Sequence, residues 1–205
     1  MPATYQELKD QVLSFVNNMA IEQTIDTFID LAEADLSRRL RHWRMERRAT
    51  ATLSTQYTSL PTDFNAPIRF SLTGDNFYKL DMVSHSEIMS RREANNNTAG
   101  RPKAIAMTAD TFEVQPSPDQ DYTLEMVYYG TVPALTSSNT SNWVLEYYPD
   151  AYLYGTLSHS APFLGEDARV QTWLSLYNEA IAAINSESER AEFGRSNMKM
   201  NMRSF

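Results

Sequence analysis

The first groups in this chain whose types and spacing could do chemistry are its carboxylate pairs: Asp30 with Glu33, Asp119 with Asp121, and Glu166 with Asp167. Two facing carboxyls can divide the acid and the base or nucleophile roles of glycoside hydrolysis. A cell-wall glycan hydrolase is therefore one reading. The other is a solvated acidic surface, which a chain with 26 acidic residues supplies at many places. His42, His85 and His159 are the only histidines, and they lie far apart with no HxxxH or HExxH spacing. No histidine-based metal centre is expected from them. The chain has no cysteine, which removes disulfides, thiolate ligands and thiol nucleophiles. Neither GxSxG nor GxxxxGK(S/T) occurs, and six glycines leave little material for a phosphate-cradling loop. The expectation is a protein that is not an enzyme, with no catalytic residue, no metal and no cofactor.

Charge and aromatic patterning point to contact instead. The net charge of −8 argues against tight DNA binding, which draws most of its affinity from phosphate neutralisation. It suits a surface that DNA passes without sticking. Against this background stands one basic cluster: Arg38, Arg39, Arg41, His42, Arg44, Arg47 and Arg48. Three readings stay open for these arginines: salt bridges at a helix end, a contact between subunits, or a patch beside a DNA channel. Trp143, Tyr147, Tyr148, Tyr152 and Tyr154 form an aromatic cluster, read as core and interface packing in preference to base stacking. The tail AEFGRSNMKMNMRSF, Ala191 to Phe205, alternates methionine with polar residues, a strand-like period. It reads either as a frayed end or as an extended arm that orders on a partner, through Phe193, Arg195, Met198, Lys199, Met200, Met202, Arg203 and Phe205.

The elements that must position these residues follow from periodicity. Thr4 and Glu7 have capping-box spacing, and Leu8, Val12, Phe15 and Val16 share a face, so a helix is expected over Thr4–Asn18. Ile25, Phe28, Ala32, Leu36, Leu40 and Trp43 predict a second helix ending at Trp43, with its acids early and its arginines late. Ile68–Leu72 and Phe77–Val83 flank Gly74-Asp75-Asn76 as a predicted hairpin, and a short helix is expected over Ser84–Glu93. Pro102–Thr108, Thr111–Gln115 and Tyr122–Tyr129 read as strands. A helix is expected from Asp150 to about Ser160, broken by Pro162 and Gly165, and a long one over Asp167–Arg190. No stretch approaches 18 consecutive apolar residues, so no transmembrane helix is expected, and the polar, acidic start does not read as a secretion signal. The fold class is α+β: an antiparallel helical bundle from both chain ends, with an inserted small antiparallel β region and an extended C-terminal arm. The divisions are 1–49 for the first helices, 50–142 for the β-rich insertion, 143–190 for the last helices and 191–205 for the arm.

An ordered series of segments then carries a resemblance. It runs IDLAEADLSRRLR (Ile29 to Arg41), YTSLPTDF (Tyr57 to Phe64), GRPKAIAM (Gly100 to Met107), DYTLEMVYYGTVPAL (Asp121 to Leu135), NWVLEYYPDAYLYGTL (Asn142 to Leu157) and RVQTWLSLYNEAI (Arg169 to Ile181). The series resembles the head-to-tail adaptor, or head-completion, proteins of short-tailed bacteriophages. The resemblance implies a structural virion protein of the neck, between head and tail, assembled in the host cytoplasm. It implies a homo-oligomeric ring, typically of twelve copies, that docks under the portal, closes the packaged head, extends the DNA channel and carries nozzle or fibre proteins. DNA would pass without specific binding, and no membrane partner is implied. A stopper or tail-tube ring lower in the neck is the alternative within the same compartment.

Overall fold

The computed structural model describes residues 2–16, 21–74, 77–165 and 167–195. The chain divides into two compact units: a helical unit of Met1–Arg44 with Val132–Phe205, and a β-rich unit of Met45–Thr131.

The helical unit contains α1 (Tyr5–Val16), α2 (Ile25–Arg39), α4 (Trp143–Tyr147), α5 (Pro149–Leu164) and α6 (Asp167–Arg195). The first helix starts where its cap predicts. Thr4 Oγ1 accepts the Glu7 N–H at 3.3 Å, while Glu7 Oε2 accepts the Ala3 N–H at 2.8 Å. The stripe on α2 is buried at Ile25, Phe28, Ile29, Ala32 and Leu36. α5 packs against α1, α2, α4 and α6. The approach is close at Gly155, where an added Cβ would come within 3.0 Å of the Tyr177 ring and 3.3 Å of Ala32 Cβ.

Three expectations change here. α2 stops at Arg39, short of Trp43, because Leu40 turns to an extended conformation (φ −79°, ψ 140°). Its exposed end groups are taken up by a distant residue: Asn185 Oδ1 accepts the Arg41 N–H at 2.9 Å and Asn185 Nδ2 donates to the Arg39 carbonyl at 3.1 Å. α5 runs through Pro162 to Leu164 and ends on Gly165 in the left-handed region (φ 70°), so proline costs one helical bond near the end and does not terminate the helix. α6 continues to Arg195, so the stretch from Ala191 to Arg195, read as the start of an extended arm, is helical.

The β-rich unit contains β1 (Glu46–Leu53), β2 (Tyr57–Ser59), β3 (Phe64–Thr73), β4 (Tyr78–Lys79), β5 (Asp81–Met82), α3 (His85–Ala94), β6 (Ala104–Thr108), β7 (Thr111–Gln115) and β8 (Tyr122–Gly130). One sheet has the order β1-β8-β3-β4 and the other β2-β7-β6-β5. Their apolar faces meet in one cluster that includes Leu53, Phe70, Leu72, Leu80, Ile105, Phe112, Val114, Leu124, Met126 and Tyr128. The alternation read in β8 places Leu124, Met126 and Tyr128 in that cluster. The hairpin strand expected over Phe77–Val83 is divided. Tyr78–Lys79 pairs with β3, the chain turns inward at buried Leu80, and Asp81–Met82 joins the second sheet. The β5–β6 pair is parallel, in a region read as antiparallel. Ser84 caps α3 by accepting the Glu87 N–H at 3.3 Å.

Candidate assembly surfaces

The structure distributes the basic cluster over different local settings. Arg38 and Arg39, in the last turn of α2, pair with Asp35 at 3.2 and 3.3 Å. Asp35 also accepts the Tyr177 O–H at 3.0 Å, and Arg39 donates to Asn178 Oδ1 at 2.6 Å. Burial and the facing Asp35 carboxylate push the Tyr177 phenol well above its ordinary range. Arg41 folds back to donate to the carbonyls of Arg38 (3.1 Å) and Leu40 (2.6 Å), closing the helix end. Arg44 stands over two aromatic rings, Trp43 and Tyr147. These four arginines belong to the helical unit.

Arg47 and Arg48 belong to the β-rich unit and lie on β1, not on a helix. Arg47 donates to the Glu46 carbonyl at 3.3 Å. Arg48 Nε donates to Glu125 Oε2 at 2.7 Å, and Arg69 donates to the other oxygen at 2.7 Å. Glu125 is buried, so two cations share a carboxylate removed from water. The one sequence cluster is therefore divided between the two units.

The aromatic cluster resolves into buried and exposed members. Trp143 stacks on buried His42 with ring centroids 5.0 Å apart, and Tyr148 meets His42 edge-on at 5.9 Å. Burial depresses the His42 imidazole below its usual value, against the pull of the Glu187 carboxylate. The Tyr148 O–H donates to Glu187 at 2.9 Å, and burial with that contact raises its phenol to about 12. Tyr152 is buried; its O–H donates to Glu33 at 3.1 Å, and its oxygen accepts Asn142 Nδ2 at 2.6 Å. Tyr147 is exposed. Of the candidate arm residues, Phe193 and Arg195 have their backbone in α6, and their side chains lie outside those described. Met198, Lys199, Met200, Met202, Arg203 and Phe205 lie outside the described residues.

Sequence reasoning missed the buried charges. Glu33 lies inside the helical unit while Asp30, its partner in a candidate carboxylate pair, is exposed. Glu113 on β7 is 1% exposed and is held by Arg92 of α3 and by Gln56, whose Nε2 donates at 2.9 Å. An acid set between Phe112 and Val114 in a short apolar strand was the available signal. Among the described residues no group of three His, Asp or Glu side chains could hold a metal ion, and no helix is long and apolar enough to cross a membrane.

No curated protein matches the chain. Among protein families, the model of the SU10 adaptor protein matches residues 3–200, nearly the whole chain. The chain belongs to the SU10 adaptor protein family, and it is a structural adaptor component of a phage virion.

Proposed function

We propose that the protein acts as the head-to-tail adaptor ring itself. Copies dock under the portal, close the filled head, extend the DNA channel and present a platform for tail nozzle or fibre proteins. The supporting observation is the match of the adaptor family over residues 3–200, joined to a chain that separates into a helical and a β-rich unit. Two units suit a subunit with two neighbours to serve, the portal and the tail. The helical unit, with the segment Ser196–Phe205 that follows α6, is assigned to the portal. The β-rich unit is assigned to the tail side. Phe193, Arg195, Met198, Lys199, Met200, Met202, Arg203 and Phe205 are the proposed portal contacts, and Arg38, Arg39, Arg41, Arg44, Arg47 and Arg48 are proposed for subunit contacts or the channel wall. Twelve copies is the number expected from the family resemblance.

Native mass spectrometry of the chain, alone and mixed with its purified portal, tests this reading. One added copy per portal subunit is the expected result. A chain that leaves the portal bare would overturn the assignment and favour a ring lower in the neck.

A further inference from the structure

The two carboxylate oxygens of Glu113 on β7 are used unequally. Oε1 accepts the Arg92 guanidinium of α3 and, at 2.9 Å, the Gln56 amide. Oε2 is buried and has no hydrogen-bond partner among the described residues. A buried acceptor left empty costs stability, the more so on a charged group. Facing it is the His85 ring in the first turn of α3, with Nδ1 3.8 Å away. That is about 1 Å beyond the length of a charge-assisted hydrogen bond. The His85 side chain is 60% exposed and that of Glu113 1%. The ring can therefore exchange protons with solvent while the carboxylate stays inside.

The helix that carries this ring is lightly attached. α3 packs on β6 and β7, yet of its ten residues only Ile88 is buried. Opposite Gln115 and Glu113, β6 brings Ala104 and Ala106, whose methyl groups offer little apolar area. Elements with so little buried apolar surface open well below the cost of global unfolding. The hold of α3 thus depends on what it sends to Glu113: Arg92 from its last turn and His85 from its first. The charges on the neighbouring elements are directed elsewhere. Glu87 and Asp81 of β5 take Arg91, at 2.8 and 3.6 Å, and the Tyr57 oxygen takes Arg92 at 3.2 Å. β6 carries no titratable side chain. The helix dipole opposes a positive ring at the start of α3, while the buried carboxylate attracts one, so the expected effect is of a few fold.

We propose that His85 is a proton-operated latch that fastens α3 to the second sheet. Protonated, the ring closes on the empty Oε2 of Glu113. Neutral, it leaves α3 held by Arg92 and Ile88, and the helix lifts more readily to bare the Glu113 side of β7. Histidine is the side chain whose charge ordinarily changes between about pH 5 and 8. The sign follows from which form gains a partner in the closed state. The latch holds in mild acid and is lost as pH rises through that range.

Hydrogen exchange of the full-length chain, read by mass spectrometry on peptides of Ser84–Ala94, tests this. Labelling at about pH 5.5 and about pH 7.5, with times scaled to the intrinsic exchange rates, brackets the histidine range. In the wild type, opening of α3 should be about two- to fivefold rarer at the lower pH. His85→Gln, at an exposed position and without charge, should open at the more frequent level at both pH values. His85→Lys, charged at both, should open at the rarer level at both. A wild-type α3 whose opening ignores pH overturns the proposal. So does a pH dependence that survives in His85→Gln, which would place the titrating group elsewhere. So does His85→Lys opening as often as His85→Gln. Because the readout is confined to α3, titration of groups in the helical unit does not enter the comparison.

Discussion

The carboxylate of Glu33 accepts the backbone N–H of Leu135 at 2.8 Å, across 102 positions of sequence. The contact ties α2 to the segment that re-enters the helical unit after β8. Tyr152 donates to the same oxygen at 3.1 Å. Burial pushes the Glu33 carboxyl up from its ordinary 4.5 to about 7, with the nearby Asp30 charge adding to the shift; the two hydrogen bonds oppose it.

A pH dependence follows, with a definite sign. The folded chain holds the Glu33 proton more tightly than the unfolded chain. The associated stability is fully present below 4.5 and is lost as pH rises through about 7. Glu33→Gln keeps an acceptor for Leu135 and cannot ionise. It should match the wild type near pH 5 and exceed it near pH 8, by at most about 3 kcal/mol. Urea unfolding at the two pH values checks this. An equal effect at both would show that Glu33 ionisation is not coupled to folding.

In the β-rich unit, Arg92→Ala should remove the cation that faces buried Glu113. Leaving that carboxylate inside with the Gln56 amide at 2.9 Å and the His85 ring nitrogen at 3.8 Å, and no guanidinium, should cost about 3 kcal/mol. The double variant Arg92→Ala/Glu113→Gln should recover part of the loss, because it no longer strands a charge. Denaturation midpoints of the two variants provide the comparison, and a double variant less stable than the single one would contradict this account.

Removing Ser196–Phe205 leaves every described element of α6 in place. The truncated chain should lose at least about tenfold in apparent affinity for the portal, read by titration with native mass spectrometry. Full portal occupancy by the truncated chain would rule out a C-terminal portal contact.

Most of the helices and strands were legible because each depends on neighbours a few positions away. The Ser84 cap, the α2 stripe and the β8 alternation are local facts of residue order. The candidate sites were less legible. Arg38 and Arg48 look alike in sequence, yet one pairs within its own helix and the other reaches from β1 to a buried carboxylate on β8. Charge runs report composition, and the partner of each charge is set by where the backbone goes next.

Residue order alone decided that this chain alternates a helical, a β-rich and a helical region, that it has no cysteine and no HxxxH or HExxH spacing, and which faces are apolar. Tertiary structure decided where α2 stops, because Asn185 closes its end from 144 and 146 positions away. It also decided that Tyr78–Lys79 and Asp81–Met82 serve different sheets, with Leu80 between them buried in the core the two sheets share. Hydrophobic period is written in neighbouring residues, whereas the satisfaction of a helix end or a buried charge requires a partner that only folding brings near.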